Sequence, residues 1–133
     1  MKINVEKCAQ ILKEQDNILI LTHAHPDGDT LGCGFALCRA LLKYDYLYSD
    51  LEMPDFKEEY IVAVDVATEN LLGDLKEQYG GKINLCIDHH GTNDEYSEYL
   101  LLNADAAAAC EVILKVIKSM NVEIDRGIAN CLF

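Results

Sequence analysis

The sequence predicts an α/β domain built on a mostly parallel sheet with helices on its flanks. Three observations carry that expectation. The runs NILILT (17–22), IVAVD (61–65) and INLCID (83–88) are apolar and rich in branched residues, as strands covered on both faces are. Segments whose apolar residues recur at helical spacing alternate with these runs. With 133 residues, half of them apolar, the chain 1–133 is one domain large enough to bury a core.

Each element follows in chain order. Asn4 is placed to cap a helix whose Val5, Cys8, Ile11 and Leu12 share one face. NILILT is the first buried strand. It runs into THAHPDGDTLG (22–32), a loop followed by LGCGFALCRALLK (31–43), which has helical composition and early glycines where backbone can approach closely. IVAVD is the second strand. TENLLGDLKEQYGG (68–81) suits one or two short helices ending on glycine, and INLCID is the third strand. EYLLLNA (98–104) reads as a short fourth. AAAACEVILKVIKSM (106–120) is a helix with Cys110, Ile113, Leu114 and Ile117 on one stripe, and Asp125 begins another that runs to Phe133. Asp105 and Asp125 read as helix caps. No internal repeat or low-complexity segment interrupts this order.

Eleven basic residues against 23 acidic ones give a net charge of -12. That balance repels long duplex nucleic acid and anionic membranes, so a phosphate-bearing ligand needs local positive charge, which divalent cations supply. The six cysteines form no CxxC pair and mostly sit in apolar runs. They read as thiols of a reducing, cytoplasmic compartment and argue against a zinc cluster or disulfide framework. The first ten residues are too polar for a signal peptide, and no apolar run approaches the ~20 residues of a membrane span.

The chemistry concentrates at the strand ends. The first strand runs into His23, His25, Asp27 and Asp29, the second stops on Asp65, and the third on Asp88, His89 and His90. In open α/β sheets the carboxyl ends of the strands face one crevice, so these groups are expected to converge. Taken singly, each has a plain explanation: Asp65 a cap or turn, His89-His90 a surface pair, Asp27-Gly28-Asp29 a turn. All three strands producing metal-compatible residues at one sheet edge is a poor coincidence. Mixed imidazoles and carboxylates suit a transition metal such as manganese better than calcium, and five or more ligands suit two ions.

HAHPDGDTLG (23–32), VAVD (62–65) and DHHGT (88–92) resemble, in this order, the signature motifs of the DHH phosphoesterase superfamily. The likeness covers about residues 17–111 and is closest to its nanoRNase branch, RecJ-like in its catalytic half. That resemblance implies a Rossmann-like sheet and a two-metal hydrolase of short oligoribonucleotides or small nucleotide phosphates. Manganese is the implied ion, with magnesium or cobalt as substitutes. Carried over by position, His23 and Asp27 hold one ion, Asp29 and His89 the other, and Asp65 bridges them. His90 faces the substrate phosphate as stabiliser or proton donor, and Asp88 orients the histidines. His25 is a loop residue, while Thr92 and Asn93 help to shape the pocket. The implied reaction is in-line attack on phosphorus by water activated between the ions.

Two parts of the family pattern have no counterpart. After Lys43 the chain runs straight into YDYLYSDLEMPDF (44–56), which has too little room for the family's further strand ahead of VAVD, and the chain ends at IANCLF. The family continues there into one more metal-binding aspartate and a basic substrate-binding domain. The resemblance therefore implies an incomplete catalytic domain with a weakened second metal site. Its partners are short RNA or nucleotide phosphate and a second copy of the chain. Two other functions compete: a manganese inorganic pyrophosphatase of the same superfamily, and an inactive fragment that binds metal or nucleotide without turnover.

Overall fold

The computed structural model describes residues 1–24, 28–44 and 57–132, with side chains at each end of the second helix (28–30 and 42–44) excluded. Four parallel strands form its sheet: β1 (Ile18–Leu21), β2 (Tyr60–Val64), β3 (Leu85–Asp88) and β4 (Tyr99–Leu102), in the order β1-β2-β3-β4. Ile20 pairs with Val62, Val64 with Ile87, and Asp88 with Leu102, so the carboxyl ends of β2, β3 and β4 lie level. Residues 1–3 run along the outer edge of β4, where Ile3 N–H donates to the Leu100 carbonyl at 2.9 Å.

Alternation along the strands assigns the two faces. Val62, Val64, Leu85, Ile87 and Leu101 point to one side. They pack there beneath α1 (Val5–Glu14), α2 (Gly28–Tyr44), α4 (Ala109–Ser119) and α5 (Arg126–Leu132). Leu21, Ile61, Ala63, Cys86 and Leu100 point to the other, under a 3₁₀ turn (Glu69–Leu72) and the short α3 (Leu75–Tyr79). Asn4 caps α1 by accepting from the Lys7 N–H at 2.8 Å, and Asp125 caps α5 by accepting from Ile128 N–H at 2.9 Å. A Cβ at Gly32 would run into the Cys131 carbonyl, so the close seating of α5 on α2 requires glycine there.

Several expectations shift in detail. The buried stripe of α4 is Ala109, Val112, Ile113, Val116 and Ile117, with Cys110 and Leu114 half-buried at its border. That helix begins at Ala109, so Asp105 is not its cap; Asp105 lies in a turn whose N–H is held by the Asn103 side chain at 3.2 Å. The segment 68–81 breaks into two pieces at Gly73, whose φ of +61° no regular helix allows. The expectation of too little room for a strand after Lys43 falls largely on residues 45–56, outside the described residues, as does Phe133. No described helix is long and apolar enough to cross a membrane.

Candidate metal centre

Asp65 follows the last residue of β2 and has φ +62°, a left-handed backbone costly for a residue with a Cβ. The main chain stays tied to β3, because Asp65 N–H donates to the Ile87 carbonyl at 2.9 Å. The kink therefore turns the chain without breaking the ladder. The carboxylate is almost wholly buried, with 6% of its side chain exposed.

Asp88, the last residue of β3, is fully buried. A carboxylate stripped of water must be repaid by donors, and three reach it. Its Oδ1 accepts from His89 N–H at 2.8 Å and lies 2.7 Å from His90 Nδ1, while its Oδ2 accepts from Asn93 Nδ2 at 2.8 Å. A carboxylate only accepts, so His90 Nδ1 carries the proton and its Nε2 is left for another partner. By the same reasoning His89 Nδ1, 3.2 Å from the Ala106 carbonyl, is a donor.

That second assignment decides what the site can do. With a proton on Nδ1, the His89 ring turns its Nε2 toward Asp65 Oδ1 at 3.3 Å. Two acceptors at that distance repel unless a proton or a cation lies with them. A histidine whose far nitrogen is fixed on a carbonyl, with its near nitrogen aimed at a carboxylate, is the arrangement metal ligands adopt. One ligand atom from each of Asp65, Asp88, His89 and His90 lies within 4.8 Å of the others. The two imidazoles sit 4.3 Å apart between centroids and tilt by 43°. His90, with 41% of its side chain exposed, is the open side of the cluster.

The floor beneath Asp88 is uncharged. Tyr96 Oη donates to the Val66 carbonyl at 2.7 Å and lies 3.3 Å from Cys86 Sγ. Burial pushes the Cys86 thiol up to about 12 and raises the Tyr96 phenol as well. Neither ionises at neutral pH, so neither adds negative charge under the carboxylates.

The exit of β1 is held more sparsely. Ala24 N–H donates to the Leu71 carbonyl at 2.8 Å, and Gly73 lets the 3₁₀ turn approach so closely that a Cβ would lie 2.8 Å from Ala24 Cβ. Between these restraints and the strand, His23 is half-buried, and its Nδ1 is buried without a hydrogen-bond partner. Such an orphaned nitrogen fits a ligand position. His25 and Asp27 lie outside the described residues, and Asp29 is placed only by its backbone, in the first turn of α2. Of the residues expected at the site, the structure thus brings together Asp65, Asp88, His89 and His90. Thr92 is exposed. Sequence reasoning missed the Ala106 carbonyl, since a main-chain acceptor leaves no mark in residue type.

Comparison with known proteins bears on this arrangement. The DHH family, N-terminal domain, matches residues 17–133. A bifunctional oligoribonuclease and PAP phosphatase NrnA from Thermus thermophilus is 31% identical over 141 residues, covering 91% of this chain and 43% of that protein. A protein of the same name from Bacillus subtilis is 24% identical over 119 residues, covering 76% of this chain and 38% of that one. The chain thus spans about two-fifths of the length of these relatives. Among solved structures, an exopolyphosphatase-related protein from Bacteroides fragilis superposes with a TM-score of 0.78 over 96% of this chain and 47% of its own. At 16% identity it supports the fold alone.

Proposed function

The chain belongs to the DHH family, and we propose that it is the catalytic domain of a metal-dependent phosphoesterase acting on short oligoribonucleotides or small nucleotide phosphates. The observation that carries this reading is the gathering of ligand atoms from Asp65, Asp88, His89 and His90 within 4.8 Å of one another, with His89 Nε2 3.3 Å from Asp65 Oδ1. The donor set fits a pair of borderline divalent cations, Mn²⁺ first and Mg²⁺ or Co²⁺ as substitutes. His23, Asp27, Asp29, Asp65 and His89 would hold them. When bound, they supply positive charge and lower the pKa of water at the site.

The remaining roles belong to the chain's own groups. Asp88 fixes His90 in the tautomer with hydrogen on Nδ1, and the part-exposed ring presents Nε2 to the substrate side. In its protonated form that nitrogen donates to a phosphate oxygen or to the departing oxygen, and the buried Asp88 carboxylate stabilises the cationic ring. His89, anchored on Ala106, stays in the plane that serves Asp65. With a net charge of -12, the rest of the chain offers little positive charge to a polyphosphate. Selectivity for short RNA is thus assigned to the part of the relatives that lies beyond this chain's match. A second copy of the chain is the protein partner of this reading, and the cytoplasm its compartment.

The test is hydrolysis of a 5′-phosphorylated RNA dinucleotide and of pyrophosphate, each with Mn²⁺ and with chelator. Mn²⁺-dependent release of mononucleotide is expected, and His90→Ala should lower turnover by ~10²-fold, as loss of a charge-stabilising donor does. Cleavage of pyrophosphate alone would move the chain to the pyrophosphatase branch. Metal binding without turnover of either would leave a metal-binding fragment.

A further inference from the structure

Asn93 takes part in none of the steps above, yet it is among the most tightly specified side chains near the site. Its Oδ1 accepts from Glu95 N–H at 2.8 Å, and its Nδ2 donates to Asp88 Oδ2 at 2.8 Å. Its own N–H donates to the His90 carbonyl at 3.0 Å, closing the turn that follows the two histidines. The Glu95 N–H only donates, so the amide cannot be flipped: oxygen faces the main chain and nitrogen faces the carboxylate. A chain of directed hydrogen bonds thus runs from Glu95 N–H through Asn93 and Asp88 to His90 Nδ1.

We propose that Asn93 is a positioning residue for His90, acting through Asp88 by holding its second oxygen away from the metal cluster. The need for such a hold follows from the cluster. Asp88 offers an oxygen within 4.8 Å of ligand atoms of Asp65, His89 and His90, so a modest rotation of its carboxylate would make it a competing ligand and release His90. With Oδ2 bound to Asn93, that rotation breaks a buried charge-assisted hydrogen bond, which costs more than a neutral one. Asn93 therefore decides whether Asp88 anchors His90 or joins the ions.

The inference rests on the phosphoesterase reading for its kinetic consequence but not for its first test. In a two-bond ¹H–¹⁵N spectrum of the metal-free, ¹⁵N-histidine-labelled chain, with His90 assigned from His90→Gln, the Nδ1–H tautomer should dominate. Asn93→Ala and Asn93→Asp both remove the donor to Asp88, and Asn93→Asp retains an acceptor for Glu95 N–H. In each, the Nε2–H population of His90 should rise by roughly fivefold, the weight of one hydrogen bond. In hydrolysis, kcat should fall about tenfold with KM unchanged, as for outer partners of a metal site. A folded variant with an unchanged His90 tautomer would overturn the proposal. So would loss of the fold in both variants, which would assign Asn93 to stability. If the wild-type chain hydrolyses nothing, the phosphoesterase reading fails while the tautomer result still stands or falls alone.

Discussion

The exits of β1 and β3 open on the same edge of the sheet, but they are held by different means. At the β3 exit each group has its direction set from within the chain. Asp88 is gripped by three donors, His90 by Asp88, and His89 by the Ala106 carbonyl. At the β1 exit the backbone is pinned at Ala24, while His23 keeps a buried ring nitrogen without a partner. The β3 side is preorganised; on the β1 side, no hydrogen bond fixes the His23 Nδ1. Preorganised groups cost no reordering when the ion arrives, whereas a side chain immobilised on binding forfeits part of its gain.

The largest expected effect tests that contrast directly. Asp65→Ala should lower Mn²⁺ affinity by more than ~10²-fold, beyond what outer partners of metal sites cost, whereas His23→Ala should cost only about tenfold. Titration calorimetry on both variants decides it, and equal losses would erase the distinction between the two exits.

A second, smaller effect separates the floors. The thiols of Cys86, under the β3 exit, and of Cys8, in α1, are pushed up to about 12 by burial. In the unfolded chain they ionise near 9.0. Stability is therefore full below that pH and falls as pH rises from 9 toward 12, by at most about 1.4 kcal/mol per pH unit and thiol. Cys86→Ala should flatten the alkaline limb of the melting temperature, and an unaltered slope would place the titrating group elsewhere.

The smallest effect concerns the restraint on β1. Gly73→Ala introduces a Cβ at φ +61° and 2.8 Å from Ala24 Cβ. It should cost about 1–2 kcal/mol of stability and weaken Mn²⁺ binding slightly, through displacement of residues 23–24. A stable variant with unchanged metal affinity would show that the contact between the 3₁₀ turn and Ala24 does not position His23.

Much of this was legible in the residues. The apolar runs named all four strands to within two residues at most boundaries, because a strand covered on both faces needs apolar side chains at every position. Asn4 and Asp125 announced their caps, since a short side-chain acceptor before an apolar helical pattern has few other uses. Asp105 had the same look and caps nothing; in its turn the acceptor is Asn103, two residues earlier. The stripe of α4 was misplaced by one residue at its start, because Cys110 and Leu114 are apolar yet lie where the stripe meets the helix border.

By itself the sequence determined the α/β class, the strands and the residue types at their carboxyl ends, since hydrophobic period and local turn chemistry are properties of neighbouring residues. Only the tertiary structure decided how those ends act. It put Asp65 in a left-handed kink held by Ile87 and turned His89 by a carbonyl 17 residues away. It also fixed His90 through a carboxylate whose other oxygen belongs to Asn93. A hydrogen bond has a direction as well as a partner, and direction is set by where separate segments of backbone come to lie.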